Sequence, residues 1–401
     1  MIEAHSSQFW RATLALCLGS FMIFSNVYVI QPLLPMLADQ YQLSTLEVGL
    51  SCTVTTLTLG LSLLIFGPLS DVLGRNLLMV VTMCGVVFIT FALSQVETFS
   101  QLLLLRALQG FFLAGLPAMA IAYMGDEFSK PALVAAVGIY ISANSLGGIG
   151  GRVIGGFVGD WLGWQETFLC MSLVSFICLS VFVWLLPASE NFNAKPFHLG
   201  QMLRDMFDHL KNPLLLIAYL IGGLNFFIFL NQYSYATFKL AAQPYNLPAS
   251  LLGMLFLTYL GGTFGSFISG RLSSLIPQPL VIASGISCLM LGSLFTLQGS
   301  VVAIVLGFLI NAFGFFLAHS CASSWVSRNA THSKATASSI YLVFYYVGAS
   351  TGGLYLDPFW QWQGWSGVVF GSLLVLVFTF SLALVLYIKN RPLLAQSPCA
   401  G

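Results

Sequence analysis

Apolar runs long enough to cross a bilayer recur twelve times in the chain, near residues 10–34, 46–70, 76–94, 101–124, 132–158, 166–186, 214–237, 249–271, 279–297, 300–325, 335–356 and 366–388. A hydrocarbon core about 30 Å thick takes about 20 residues of helix to span. Inside it, every backbone N–H and C=O must find a partner within the protein, which helices achieve segment by segment. Only 7% of the residues are charged, against about 25% in a soluble domain. An all-α, multi-pass integral membrane protein follows. The opening "MIEAHSSQFWR" carries Glu3 and shows no small-residue cleavage site after the first run, so that run reads as a retained span.

Orientation comes from the basic residues. With the N-terminus in the cytoplasm, Arg11, Arg75, Lys130, Lys195, Arg204, Lys211, Arg271, Arg328, Lys334, Lys389 and Arg391 fall at cytoplasmic loops or ends. Lys239 alone falls outside, and Arg106 and Arg152 lie within spans. This bias predicts cytoplasmic N- and C-termini and an even number of spans. Cys17, Cys52, Cys84, Cys170, Cys178, Cys288, Cys321 and Cys399 show no C-x-x-C or metal spacing, so neither a disulfide framework nor a metal site is expected.

The chain repeats itself. "GFFLA" occurs at Gly110–Ala114 and at Gly314–Ala318, and Ser-Lys follows each copy, at Ser129-Lys130 and Ser333-Lys334. F-x-I-F-x-N-x-Y occurs at Phe21–Tyr28 and Phe226–Tyr233, "YISANSLGG" at Tyr140 is echoed by "YYVGASTGG" at Tyr345, and "GPLS" at Gly67 by "GRLS" at Gly270. Offsets of 203 to 205 recur throughout. Two parallel six-helix bundles are predicted: residues 1–187, a cytoplasmic linker over 188–213, and residues 214–401. Within the linker Phe197, Met202, Met206, Phe207 and Leu210 suggest an amphipathic helix on the membrane face. Parallel halves related by an axis along the membrane normal suit a transporter that rocks around a central site.

"GPLSDVLGR" closes the second span: Gly67 permits close helix approach, Pro68 and Gly74 punctuate the turn, and Asp71 and Arg75 set opposite charges at helix ends. Here the chain resembles the major facilitator superfamily, whose signature between spans 2 and 3 is G-x-L-[aS]-D-x-x-G-R. "RALQG" at Arg106–Gly110 resembles the family's R-x-x-x-G of span 4. Gly138, Gly147, Gly151, Gly155 and Gly156 resemble the span-5 glycine motif of its proton-coupled antiporters. Gly151-Arg152 replaces the usual Gly-Pro there, as in arabinose-efflux-like permeases, a branch of sugar and drug exporters. The resemblance implies proton-coupled efflux of a small organic solute across the inner membrane by alternating access.

The glycines of span 5 are expected to pack on span 11, Gly147 and Gly148 facing Gly352 and Gly353. A buried arginine costs about 2.5–3.5 kcal/mol on insertion scales and rarely faces lipid. Arg106 and Arg152 are therefore candidates for the central cavity, unless they snorkel outward. No acidic residue lies well inside a span, which disfavours a cationic substrate and leaves a neutral polar, amphipathic or anionic one. Repeat symmetry places Asn26 with Tyr28, and Asn231 with Tyr233, at equivalent positions. Asn144, Asn311, Tyr341 and Tyr345 are further cavity candidates, each as well suited to an inter-helix hydrogen bond. His319 is the one histidine expected within a span: its pKa suits proton coupling, although a bond to a serine or carbonyl is the better expectation.

No G-x-x-x-x-G-K-[ST] is present, so the chain is not its own ATP-driven pump. No nucleophile–base pair suggests an enzyme, and no cofactor or nucleic acid is expected. The expected partners are a small-molecule substrate, protons and lipid, with a monomer as the unit. A symporter or uniporter importing an organic anion is the first alternative, and a non-transporting sensor of the same fold the second.

Overall fold

The computed structural model describes residues 1–4, 6–192 and 199–394. Lys195, Phe197, Cys399 and the side chains of Met202 and Arg391 lie outside the description. The first sequence repeat gives helices α1 (Ser7–Tyr28), α2 (Leu34–Tyr41), α3 (Thr45–Leu73), α4 (Arg75–Leu93), α5 (Phe99–Leu113), α6 (Gly115–Glu127), α7 (Lys130–Trp161) and α8 (Trp164–Leu185). After α9 (Leu199–Lys211) come α10 (Pro213–Ala241), α11 (Ala249–Met254), α12 (Tyr259–Leu275), α13 (Gln278–Phe295), α14 (Val301–Asn329) and α15 (Lys334–Leu394). Among the described residues, eleven helical stretches are long and apolar enough to span a membrane. The last is two helices joined across Gln363 (φ −139°, ψ 25°) and Gly364 (φ 54°, ψ −132°), which accounts for the twelfth expected span.

Apolar side chains cover the outside because lipid takes the place of water: Phe88, Val134, Trp184 and Phe267 are each more than 70% exposed. Inside, large apolar side chains such as Phe9, Phe168, Phe229 and Trp325 are buried together with polar groups such as Asn26, Gln109 and Asn311. The helices begin where capping chemistry allows. Ser44 and Glu47 form a reciprocal capping box at α3, and Thr98 and Gln101 another at α5.

Two spans are interrupted. The first runs Ser7–Tyr41, but α1 stops at Tyr28 and a 3-10 turn over Gln31–Leu33 precedes α2. Pro32 causes the stop: it has no N–H to offer the preceding turn. Val29, Ile30, Leu33 and Leu34 of the break are fully buried in an apolar cluster with Trp164, Phe168 and Met171. The second interruption is the 3-10 turn Leu255–Thr258 between α11 and α12.

The chain packs as two compact units, Met1–Phe197 with Thr237–Leu257, and His198–Ala236 with Thr258–Gly401. The hairpin 237–257, which belongs by sequence to the second repeat, thus packs with the first. The linker holds α9, with Phe207 exposed. Its His209 is buried and stacks on His332, ring centroids 4.6 Å apart.

Candidate functional site

Helix α3 continues through Pro68 to Leu73, so Pro68 lies inside the helix, not in the turn. Pro68, five residues before the helix end, forgoes the bond that an N–H there would make to the Leu64 carbonyl. The turn is Gly74 alone, with φ 91° and ψ 143°, a conformation that a side chain would strain. That reversal sets Arg75 at the first position of α4, 3.0 Å from Asp71 and 3.0 Å from Asp126 of α6. Gly67 was expected to admit a close neighbour, yet a Cβ built there would meet nothing within 4 Å.

The glycine face of α7 was expected against span 11. Its neighbours are instead the backbone of α1: a Cβ at Gly147 would stand 2.8 Å from the Phe21 carbonyl oxygen, and one at Gly151 2.3 Å from that of Ser25. One at Gly155 would stand 2.4 Å from the Val29 oxygen. Ser25 Oγ donates to the Gly147 carbonyl at 3.0 Å. Gly148 faces Arg152 and Tyr28, while Gly352 and Gly353 lie against Phe227 and Asn231. A row of small residues lets any neighbouring backbone approach closely, and here the backbone that does so is that of α1.

At its far end α7 meets α11. A Cβ at Gly156 would fall 2.4 Å from the Ala249 oxygen, and one at Gly253 2.5 Å from the Arg152 oxygen. Ser250 Oγ donates to Asp160 Oδ2 at 2.7 Å. Arg152, fully buried, occupies this junction. Its guanidinium carbon lies 4.0 Å from the Tyr28 ring centroid and 4.3 Å from that of Phe256. Nε donates to Gln31 Oε1 at 2.7 Å and Nη1 to the Gly148 carbonyl at 2.9 Å. The cation is thus clamped between the two interrupted spans, Tyr28 ending α1 and Phe256 lying in the 3-10 turn after α11.

Arg106 is also fully buried. Nη1 donates to the Asn26 carbonyl and Nη2 to that of Val27, both at 2.9 Å, and Nε to that of Ser51 at 3.4 Å. Asn26 and Val27 belong to the last turn of α1, where carbonyls lack helical partners and carry the negative end of the helix dipole. The arginine therefore caps a helix end inside the membrane. Nη1 also donates to Gln109 Oε1, and Gln109 Nε2 donates to Thr90 Oγ1 at 2.7 Å. Thr90 Oγ1 donates to Asn26 Oδ1 at 2.9 Å, and Asn26 Nδ2 donates to Ser175 Oγ at 2.8 Å.

In the second unit Asn231 does not occupy the place of Asn26. Its Nδ2 donates to the Phe227 and Ala349 carbonyls, both at 2.9 Å. Gln232 takes that role, its Oε1 accepting from Ser293 Oγ at 3.1 Å and Asn311 Nδ2 at 3.0 Å. The expected equivalence of Asn26 with Asn231, and of Tyr28 with Tyr233, is therefore one residue out. Gly147 meets Phe21 where Gly352 meets Phe227, an offset of 206 on this helix, and one residue turns a helix by about 100°. Tyr233 faces Thr258 Oγ1 (2.7 Å) and donates to the Phe308 carbonyl (3.1 Å).

The remaining candidates are inter-helix pairs. Ser20 Oγ donates to Asn144 Oδ1. His319 meets a phenol instead of the expected serine or carbonyl: Tyr341 Oη lies 2.9 Å from His319 Nδ1. Tyr345, 4.7 Å from the imidazole centroid, stacks on Phe226 at 3.7 Å. Sequence reasoning named the arginines but missed Gln31, Thr90, Gln109, Ser175, Gln232, Phe256 and Ser293. Three were within reach: Gln109 stands inside "RALQG", and Thr90 and Ser293 are related by the repeat offset of 203.

The chain matches the Major Facilitator Superfamily profile over residues 16–353. It is 35% identical to the uncharacterized MFS-type transporter YybF of Bacillus subtilis, covering 90% of this chain and 89% of that protein. It is 31% identical to the inner membrane transport protein YnfM of Escherichia coli, covering 95% and 91%. Among solved structures it resembles a bacterial homolog of the human lysosomal transporter Spinster, inward-facing and unoccupied, with TM-score 0.72, 16% identity and coverage of 99% and 100%. The human organic anion transporter MFSD10 is similar at TM-score 0.70 and 17% identity, covering 94% and 99%.

Proposed function

The chain belongs to the Major Facilitator Superfamily, and from that premise we propose that it is a proton-coupled exporter of a small organic solute whose outer gate closes on Arg152. As a multi-pass inner-membrane protein of this family it is a transporter of a small solute by alternating access. The observation that carries the gate is the clamp of Arg152 between Tyr28 and Phe256, beside the glycine contact of α7 with α11. Smooth backbone contact can part without unlocking side chains, and the stacked cation and the Ser250–Asp160 bond are what must break. With the positive-inside orientation, this junction lies at the outer end and the Arg75–Asp126 pair at the cytoplasmic end. Direction and proton coupling rest on the span-5 glycine motif.

A second reading, import of an organic anion, is favoured by Arg106, whose hydrogen bonds go to neutral oxygens. A negatively charged solute would offset such a cation. The test is purified protein in liposomes with a trapped pH-sensitive dye, challenged with pooled drugs, sugars and organic acids. Proton movement opposite to the solute supports the exporter. Movement in the same direction supports the symporter. Solute flux without proton movement would overturn proton coupling.

A further inference from the structure

Both buried arginines grip the same break in the first span. Arg106 holds it from upstream, through the carbonyls of Asn26 and Val27. Arg152 holds it from downstream, through the Tyr28 ring and the Gln31 side chain. Only four residues separate Asn26 from Gln31, and α1 ends among them. Each arginine also reaches a different structure beyond it. Arg106 leads through Gln109 to Thr90, Asn26 and Ser175. Arg152 leads to Phe256 on the turn after α11.

We infer that this break is the joint through which the Arg152–Phe256 contact is coupled to the buried polar network of Arg106, with Gln31 as the positioning residue; the inference rests on the gate reading above. The physical path is contiguous. When α11 leaves α7, Arg152 loses one of its two aromatic faces, and its hold on Tyr28 and Gln31 changes. Those residues have no regular helix to absorb the change, because Pro32 interrupts it. The displacement passes to the carbonyls of Asn26 and Val27, which are the acceptors of Arg106. Binding at the network and opening at α11 then bias one another reciprocally. The aromatic pair and the bidentate cap have opposite demands on flexibility: the rings tolerate sliding, whereas the guanidinium fork fixes two carbonyls at once.

The test is hydrogen exchange on the full-length protein in lipid nanodiscs, read over residues 249–257. Phe256→Leu should speed exchange there directly. Arg106→Lys, which keeps the charge and loses the fork, should speed it several-fold although Arg106 does not touch α11. The double variant should fall short of the product of the two effects by more than about twofold. Gln31→Leu should abolish the remote effect of Arg106→Lys. If Arg106→Lys does not fold, Gln109→Met perturbs the same network without removing the arginine. A response to Phe256→Leu with none to Arg106→Lys or Gln109→Met would overturn the coupling and leave the gate standing. Wild-type exchange over 249–257 in Phe256→Leu would overturn both.

Discussion

Asn26 and Gln232 are the equivalent residues of the two repeats: each is the amide that gathers the hydroxyl of Thr90 or Ser293 into a buried network. The two networks differ in charge. The first includes Arg106, whereas the repeat offset of 204 that relates "GFFLA" to its copy puts Ile310 in the corresponding position. The first prediction concerns stability. Gln232→Leu takes the acceptor from both Ser293 and Asn311, and inter-helix hydrogen bonds in membranes contribute about 0.6–1.7 kcal/mol each. Thermal unfolding in detergent should fall accordingly, and Asn26→Leu should fall further, because it removes the bonds to Thr90, Gln109 and Ser175 together. Equal stability of Asn26→Leu and wild type would show that the network is not formed.

The glycine face of α7 separates contact from open space. At Gly151 a Cβ would meet the Ser25 backbone oxygen at 2.3 Å and its Cα at 2.5 Å, atoms that cannot move without shifting α1. Gly151→Ala should therefore cost about 1–3 kcal/mol and disturb transport. Gly138, four turns away on the expected motif, has nothing within 4 Å of a Cβ. Gly138→Ala should be neutral or slightly stabilising, since alanine is the better helix former by up to about 1 kcal/mol. Unfolding temperatures of the two variants decide.

How much of this was legible in the residues depends on range. Spans, repeat and the Asp71–Gly74–Arg75 turn follow from hydropathy and local chemistry, which act within one helix or one turn. The helix register did not. Matching letters aligned Asn26 with Asn231, but packing follows the face of a helix, and a single residue of slip rotates that face past its neighbour. The partner of the α7 glycines was likewise out of reach: a row of small residues says that something approaches closely, not which helix does so. Phe256 gave no signal at all, being one phenylalanine among 34, distinguished only by the 3-10 turn that presents it to Arg152.

The pairs of Arg75 are unequal. Asp71 is 43% exposed and Asp126 31%, while Arg75 is only 7% exposed. Asp126→Asn removes the pairing that crosses from α4 to α6, whereas Asp71→Asn removes one between neighbours at i and i+4. Transport should suffer more from Asp126→Asn, and the two variants should add less than fully because they share Arg75. Initial rates in proteoliposomes at fixed ionic strength check this. A larger defect in Asp71→Asn would reverse the assignment.

The Asp205 carboxylate of α9 is held below the usual carboxylate range, chiefly by the Ser333 hydroxyl and then by Gln201, with His332 and His209 contributing their charge. A depressed folded value means that its contribution is present above the unfolded value of about 3.9 and is lost as pH falls through the folded one. Attachment of α9 to the turn before α15 should thus keep the contribution of the charged Asp205 near neutral pH and loosen below about pH 4. Limited proteolysis across 199–211 as a function of pH checks the window. Ser333→Ala should move the loosening to higher pH, since the largest stabiliser of the charged form is gone.

Arg152 offers the sharpest test of gating, because charge and shape can be varied separately. Arg152→Lys keeps the cation but loses the planar face that lies between Tyr28 and Phe256, and with it the Nε–Gln31 bond. Stacking of this kind contributes about 0.5–2 kcal/mol per ring, and an ammonium replaces it poorly. A closed gate weakened by that amount opens more often, so the lysine variant should show faster exchange over 249–257 and slower turnover, with membrane insertion unchanged. Arg152→Ala should lose turnover more completely while still inserting and folding, since the α7 glycines keep their contacts with α1. Phe256→Tyr retains an aromatic face and should stay close to wild type, whereas Phe256→Leu should follow Arg152→Lys. Wild-type transport by Arg152→Ala would remove the arginine from the mechanism and leave it a packing residue of the α7–α11 junction.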